Sequence, residues 1–157
     1  MASMLYFVNP FDISALNKVG TFANKTNNKN LVNYYQNLSN LSEHEYFELK
    51  TQDNYYNEPV FLLVEGEIKA AAYIEGYKDE GKYSMTFQSL PESKELNKSL
   101  LSLATTYLID ELNAELVSIT VKNQEDNLIN FAINNNYEVL DRGTNQTELI
   151  REATKRK

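Results

Sequence analysis

Residues 83–108 constrain the fold more than any other part of this sequence. They begin with an alternating, extended segment at 83–89, break at Leu90-Pro91 and continue with apolar residues at helical spacing. A second segment rich in β-branched residues follows the helix at 115–121. This order of strand, helix and strand predicts two parallel neighbouring strands that are joined by a right-handed crossover.

The loop between the first of these strands and the helix carries two lysines, Lys94 and Lys98. The start of a helix leaves backbone N–H groups without intrahelical partners, and the helix dipole adds a partial positive charge. Both features attract phosphate groups. The loop is therefore either a phosphate site or an ordinary connection with solvated lysines.

Composition is that of one globular domain. The 157 residues suffice for a single core, and 42% hydrophobic with 24% charged residues is typical of globular proteins. We take residues 4–150 as the domain, residues 1–3 as a vector remnant or an alternative start, and residues 151–157 as a charged tail. The absence of cysteine and of a signal peptide pattern favours the cytoplasm.

The same counts disfavour three kinds of function. A net charge of −7 argues against nucleic-acid binding, which needs a basic face, and is compatible with a cationic substrate such as an amine. No apolar run approaches the roughly 20 residues that cross a bilayer, so we expect no membrane span. One histidine, His44, and no cysteine leave no basis for a metal site.

The predicted elements form an α+β fold. Strands are predicted at residues 4–8, 60–64, 68–75, 83–89, 115–121, 137–140 and 146–150. Helices are predicted at residues 13–22, after a cap at Asn30, at 43–50 after the capping box of Ser42 and Glu45, at 99–112 and from Asp126. We expect a mixed, mostly antiparallel central sheet of six or seven strands that is flanked by helices.

This order of elements resembles the GNAT superfamily of N-acetyltransferases over residues 4 to about 150. After its fourth strand that family carries an arginine or glutamine, two residues, a glycine, one residue, and a glycine or alanine. Residues 94–99 fall in that place, with Lys94 for the arginine, Asn97 for the glycine and Ser99 for the last position. The family's glycine and phenylalanine after the last helix correspond to Asn136 and Tyr137.

The resemblance implies acetyl-CoA as co-substrate. Its pyrophosphate would lie on the loop, where Asn97 can replace a glycine at positive φ. The residues of that loop are Lys94, Glu95, Leu96, Asn97, Lys98 and Ser99. The fourth strand would supply a backbone donor for the oxyanion and would bind the pantetheine arm through Phe87, Gln88 and Ser89.

The resemblance also implies a base and an acid for transfer to an amine. Glu75, at the end of the third strand, and Glu92, at the mouth of the loop, are the candidate catalytic bases, with Gln88 and Tyr83 as polar neighbours; the alternative is that both glutamates are ordinary surface residues. The family's frequent asparagine and tyrosine fall on Glu125 and Ala132, so the usual acid for the leaving thiolate is missing.

Two tyrosine pairs, Tyr34-Tyr35 and Tyr55-Tyr56, fall where the N-terminal wall of an acceptor pocket would lie in such a fold. Their amphipathic rings suit a pocket, and they are equally ordinary core and rim residues.

The leading hypothesis is a metal-independent N-acetyltransferase that transfers an acetyl group from acetyl-CoA directly to an amine of a small molecule or a protein. The sequence allows a homodimer. One alternative, favoured by the missing glycines and by Ala132, is a GNAT-like binding or regulatory module without catalysis. The other is an unrelated α+β domain, which a V-shaped separation of the fourth and fifth strands would exclude.

Overall fold

The structure is a computed structural model, and it describes residues 3–153. The strands are β1 Ser3–Tyr6, β2 Tyr55–Val64, β3 Glu67–Tyr77, β4 Lys82–Ser89, β5 Leu116–Lys122, β6 Glu138–Arg142 and β7 Gln146–Glu152. The helices are α1 Ile13–Thr26, α2 Lys29–Ser39, α3 Glu43–Gln52, α4 Leu96–Asp110 and α5 Asp126–Asn134. Within these residues, no helix is long and apolar enough to cross a membrane.

The seven strands form one sheet in the order β1-β2-β3-β4-β5-β7-β6. Every neighbouring pair is antiparallel except β4 with β5, which are parallel and are connected through α4. The predicted α+β fold with a mixed, mostly antiparallel sheet is therefore confirmed. At one edge of the sheet, all five residues of β6 are exposed, and its register with β7 shifts between Val139 and Asp141.

Several local signals give the element boundaries that the sequence predicts. Asp12 caps α1, and Ser42 and Glu45 form a capping box at the start of α3. Asn113 and Asn136 adopt the left-handed conformation, with φ of 56° and 75°, where the chain reverses after α4 and α5.

Other boundaries differ from the prediction. The cap of α2 is Asn28 rather than Asn30, because the Asn28 side chain accepts a hydrogen bond from the N–H of Leu31 at 3.2 Å. β2 begins at Tyr55, five residues before its predicted start, because pairing with β3 continues through this polar segment. The sheet also takes in Ser3 and residues 151–152, which the sequence analysis had left outside the domain.

Two apolar cores lie on opposite faces of the sheet. Alternating residues of β2 divide between them, because successive strand side chains point to opposite faces. Val60 and Leu62 pack under α4 and α5, whereas Phe61 packs under α1 and α2. The face of the sheet on which a strand side chain lies can therefore be inferred from the core to which it belongs.

Helix α3 has a weak apolar face, and polar contacts hold it on β2. Tyr46 is its single buried residue. The Lys50 ammonium lies 2.6 Å from a carboxylate oxygen of Glu58, whose side chain is only 8% exposed, and Tyr56 donates to the other oxygen at 2.8 Å. Burial alone would lower the pKa of Lys50, but the charge and hydrogen bond of Glu58 outweigh it, and the pKa is raised.

Replacement of Gly76 by alanine is expected to destabilise the fold. A Cβ at this β3 position would overlap the carbonyl oxygen of Lys82 and lie 2.9 Å from the Cα of Tyr83, so two paired backbones would have to move apart. We expect a loss of about 2 to 4 kcal/mol in the free energy of unfolding, measured by urea denaturation. The matched control is Gly20→Ala in α1, where the added methyl meets nothing within 4 Å and should stabilise the helix by up to about 1 kcal/mol. Equal effects of the two substitutions would contradict the structure.

Replacement of Lys50 by methionine is expected to lower the free energy of unfolding by about 2 kcal/mol, because it leaves the buried Glu58 carboxylate unpaired. The raised pKa of Lys50 sets the pH dependence. Its stabilisation is fully present below the unfolded pKa of about 10.4 and is lost as pH rises through the folded value. The free energies of unfolding of the two proteins, measured by urea titration from pH 7 to 11, should therefore converge at the alkaline end.

The control is Lys69→Met, which breaks the more exposed pair with Glu67. It should lower the free energy of unfolding by less than about 1 kcal/mol.

Candidate functional site

Strands β4 and β5 pair over only half of their length. Paired residues run from Lys82 with Leu116 to Met85 with Ile119 and end there. Beyond this point residues 86–89 of β4 remain paired with β3, and residues 120–122 of β5 remain paired with β7. The two strands therefore separate, and a V-shaped gap opens at their carboxyl ends.

Main-chain hydrogen bonds show which residues of β4 face this gap. The carbonyl of Gly81 accepts from the first residue of β5 at 3.1 Å, and the N–H of Leu90 donates to a carbonyl of β3 at 3.2 Å. Main-chain groups of alternate residues in a strand point to opposite neighbours. Phe87 and Ser89 therefore turn their main-chain groups toward the gap, whereas those of Gln88 point to β3.

The side chain of Gln88 belongs to a polar network on the face covered by α1 and α2. Asn28, at the turn between these helices, donates to the Tyr73 hydroxyl at 2.6 Å and to the Gln88 carbonyl at 2.8 Å. Tyr73 also donates to Gln88 at 2.8 Å, and burial raises the pKa of its hydroxyl to about 12. The phenol is therefore protonated at neutral pH. Sequence analysis missed both Asn28 and Tyr73, because their contacts join segments far apart in the chain.

The loop after β4 differs from the predicted glycine-like cradle. Pro91–Ser93 forms a 3-10 turn, and Lys94 and Glu95 have helical φ of −57° and −64°. Asn97 lies inside α4, so the expectation of positive φ at this residue is wrong. Among residues 3–153, positive φ outside glycine occurs at Asn27, Glu65, Asn113 and Asn136.

The helical form of the loop changes which groups can reach a ligand. The N–H groups of Asn97 and Lys98 donate to the carbonyls of Lys94 and Glu95 at 3.1 and 3.3 Å, so they are used inside the chain. A phosphate at this position would therefore meet side chains and the start of α4 rather than inward-turned backbone groups.

A cavity of about 300 Å³ lies between the starts of α4 and α5. Its lining residues are Lys94, Glu95, Lys98, Gln124, Glu125, Asp126, Asn127 and Leu128. The Lys98 ammonium lies 2.9 Å from the Glu95 carboxylate, and this bond holds the pKa of Glu95 below its usual value. Asn127, on α5, adds a smaller contribution that also lowers the pKa of Glu95. The lining contains two cations and three carboxylates, so an entering phosphate would compete with Glu95 for Lys98.

The other loop residues take different positions. Asn97 is 2% exposed and faces the sheet, where its Nδ2 donates to the Ser89 hydroxyl at 3.3 Å. Leu96 packs in part against the core beneath α4, and Ser99 is half-buried. Of the six loop residues, the structure therefore brings Lys94, Glu95 and Lys98 to the cavity.

The two candidate bases lie at different distances from the point where β4 and β5 separate. Glu75 pairs with Ser84, next to the last paired residue Met85, and its carboxylate accepts from the Tyr55 hydroxyl at 2.7 Å. This hydrogen bond raises the pKa of Tyr55 to about 12. Glu92 is exposed on the 3-10 turn, beyond the end of β4 and more than about 13 Å along the strand from that point.

Tyr83 does not neighbour the Glu75 carboxylate. It is 3% exposed and packs edge-on against Tyr56 in the core beneath α4, on the opposite face of the sheet. The position that corresponds to the usual acid, Ala132, is fully buried and offers no hydroxyl, while Glu125 lines the cavity at the start of α5.

A second cavity, of about 220 Å³, lies at the edge of β2 beside α3. Tyr34, Tyr55 and Tyr56 line it, together with the Lys50–Glu58 pair. Tyr35 instead packs in the core, with its ring centroid 6.4 Å from that of Phe61. Sequence analysis did not single out Glu58, because only the fold shows that this carboxylate is buried.

Within residues 3–153, no group of three or more histidine, cysteine, aspartate or glutamate side chains could hold a metal ion.

Comparisons with known proteins give matches at the level of structure. No family model and no curated protein sequence match the chain. The N-acetyltransferase PseH from Campylobacter jejuni, in complex with acetyl coenzyme A, is 10% identical, with 95% of this chain and 99% of that chain covered and a TM-score of 0.60. A point mutant of the spermidine N-acetyltransferase SpeG from Vibrio cholerae is 12% identical, with coverage of 98% and 95% and a TM-score of 0.66.

The PaiA N-acetyltransferase from Thermoplasma acidophilum, in complex with coenzyme A, is 11% identical, with coverage of 97% and 99% and a TM-score of 0.61. These matches extend over almost the full length of each protein, while sequence identity stays low. The separation of β4 and β5 agrees with the V-shaped cleft expected of this fold. This chain therefore has the fold of the GNAT superfamily of N-acetyltransferases.

Proposed function

We propose that this protein is an N-acyltransferase that uses acyl-CoA, most simply an acetyltransferase that acts on an amine. One observation carries the proposal: β4 and β5 separate after Met85 and Ile119, which leaves main-chain groups of Phe87 and Ser89 facing the gap. An extended ligand with alternating amide groups can bind such an edge as an additional strand. The pantetheine arm of coenzyme A is a ligand of this kind.

The cavity between the starts of α4 and α5 is the proposed position of the pyrophosphate. Lys94 and Lys98 supply positive charge, and the start of α4 adds its dipole. The cavity adjoins the carboxyl end of β4, so a ligand bound there can extend its arm into the gap. Glu95 opposes this binding, because its carboxylate occupies Lys98 when no phosphate is present.

The thioester carbonyl would lie near the point of separation. Phe87 is the first residue past the last β4–β5 pair whose main chain faces the gap, so its N–H is the proposed donor to the oxyanion. The amine would approach from the face opposite α4, where Thr86 is exposed and Glu75 carries a carboxylate.

Glu75 is the proposed base. An alkylammonium must lose one proton before its nitrogen attacks the thioester carbon, and a carboxylate beside the incoming amine can accept that proton, directly or through water. The carbonyl re-forms as the C–S bond breaks, and the sulfur leaves as a thiolate. The nitrogen gives up its second proton to water or to this thiolate, which completes the amide and the free thiol. Thiols of this type have a pKa of about 8.5, so the thiolate can leave and take its proton from water without the hydroxyl that Ala132 lacks.

A binding or regulatory module without catalysis is the second candidate. It is favoured by the missing hydroxyl at Ala132 and by the three carboxylates around the proposed phosphate site. Release of free coenzyme A that depends on any added amine would exclude it.

Titration calorimetry with acetyl-CoA tests the cofactor site. We expect binding by the unmodified protein and about three- to tenfold tighter binding by Glu95→Gln, because the substitution frees Lys98 and removes one negative charge from the cavity. The gain should shrink as salt is raised from 50 to 500 mM. Glu111→Gln, the same change at the opposite end of α4, should bind as the unmodified protein does. Absence of binding at millimolar ligand would overturn the proposed function.

Steady-state kinetics on Glu75→Gln tests the base. With the best amine from a screen, we expect kcat to fall about 100-fold at pH 7.5 while acetyl-CoA affinity is unchanged. The rate of the variant should recover as pH rises toward the pKa of the amine, because more of the amine is then neutral. Glu80→Gln, on the turn between β3 and β4, serves as the surface control. A full rate in Glu75→Gln would contradict this role, and the same measurement on Glu92→Gln would then test the other candidate.

A further inference from the structure

The side-chain amide of Asn97 is buried with one end unpartnered. Within residues 3–153, three buried side-chain polar atoms have no hydrogen-bond partner, and they are Tyr83 Oη, Asn97 Oδ1 and Arg151 Nε. Asn97 is 2% exposed, and its Nδ2 makes a single long bond of 3.3 Å to the Ser89 hydroxyl. A buried amide oxygen without a partner costs free energy that an apolar side chain would not.

The position of Asn97 on α4 makes this cost harder to explain by folding alone. Residues three and four places further along a helix lie on the same face, and those are Leu100 and Leu101. Both are at most 1% exposed and belong to the core beneath α4, as do Ala104 and Leu108. An apolar residue at position 97 would extend this buried apolar face of α4. The stability of the fold therefore does not explain why asparagine occupies the position.

The Asn97 side chain contacts Ser89, the last residue of β4, whose main chain borders the gap. The Gln88 side chain points to the face of the sheet that α1 and α2 cover. Successive side chains alternate between faces, so the Ser89 side chain points to α4, where it contacts Asn97. The main-chain groups of Ser89 face the gap. A ligand that runs along β4 past Ser89 therefore passes beside the residue to which the Asn97 amide is bonded.

We infer that the side chain of Asn97 binds a secondary amide in the pantetheine arm of acyl-CoA. The inference rests on the proposed function and assigns this side chain a contact with the arm, separate from the phosphates. An amide N–H of the arm would donate to Oδ1. Because a hydroxyl can donate or accept, Ser89 can bond to either the NH₂ group or the oxygen of the Asn97 amide. The amides of the arm have both N–H and C=O groups, so they can bond to the remaining group of Asn97.

The test compares two ligands on Asn97→Leu, which is similar in size and has no amide. Acetyl-CoA should bind about tenfold more weakly than to the unmodified protein, because one buried hydrogen bond is lost. Adenosine 3′,5′-bisphosphate has the nucleotide part without the arm, and its affinity should stay within about twofold. Titration calorimetry measures both ligands, and Asn97→Ala repeats the comparison should leucine disturb the fold.

Thermal unfolding without ligand supplies an independent readout. Asn97→Leu should unfold at the same temperature as the unmodified protein or higher, because a buried orphan oxygen is removed. The matched control is Thr105→Val in the same helix. Thr105 is 2% exposed and bonded to the Tyr137 hydroxyl at 2.6 Å, so this control should lower the unfolding temperature and leave acetyl-CoA affinity unchanged.

Unchanged acetyl-CoA affinity in both Asn97 variants would overturn the inference and leave the proposed function standing. Equal weakening of both ligands would also overturn it, because it would indicate a defect at the start of α4. Failure of the unmodified protein to bind acetyl-CoA would overturn the proposed function and this inference together.

Discussion

The pairing of β4 with β5 ends at Met85 and Ile119, and the rest of the candidate site depends on the gap that opens there. One part of the sheet is β1 to β4, and the other is β5 with β7 and β6. Ladder pairing between the two parts runs from Lys82 to Met85 of β4 within residues 3–153. Main-chain groups of Phe87 and Ser89 have no strand partner across the gap, which raises the free energy of the folded state. A strand-like ligand can supply the missing hydrogen bonds. A ligand bound there would join the two parts of the sheet, so it would contribute to the stability of the fold as well as to function.

The proposed phosphate site at the start of α4 differs in its chemistry from a glycine loop. A glycine loop recognises phosphates through backbone groups whose charge cannot be changed by a substitution. Here the 3-10 turn and the first turn of α4 use several of those groups internally, and Lys98 is already paired with Glu95. Recognition then depends on side-chain charge, which single substitutions and salt alter readily.

Signals contained within a few residues predicted the structure well, and the order of elements predicted the parallel β4 and β5. Side-chain contacts between distant segments were not predictable. The capping box of Ser42 and Glu45 and the left-handed Asn113 and Asn136 follow from local chemistry. The motif spacing predicted a loop residue at Asn97, whereas Asn97 lies in the first turn of α4. Its helical conformation depends on the chain that precedes the helix, and its burial depends on the sheet beneath. Glu58 lies in a polar segment that sequence patterns assign to a turn, and only pairing with β3 makes it a buried carboxylate.

The exposed edge strand β6 has a consequence for behaviour at high concentration. An edge strand offers main-chain groups to which another chain can add, and Leu140 is 57% exposed there. The register shift between Val139 and Asp141 interrupts the regular ladder, and charges at Asp141 and Arg142 follow at once. Bulges and charges of this kind discourage open-ended strand addition. The register shift and the charges therefore oppose the addition of a second chain at this edge of the sheet.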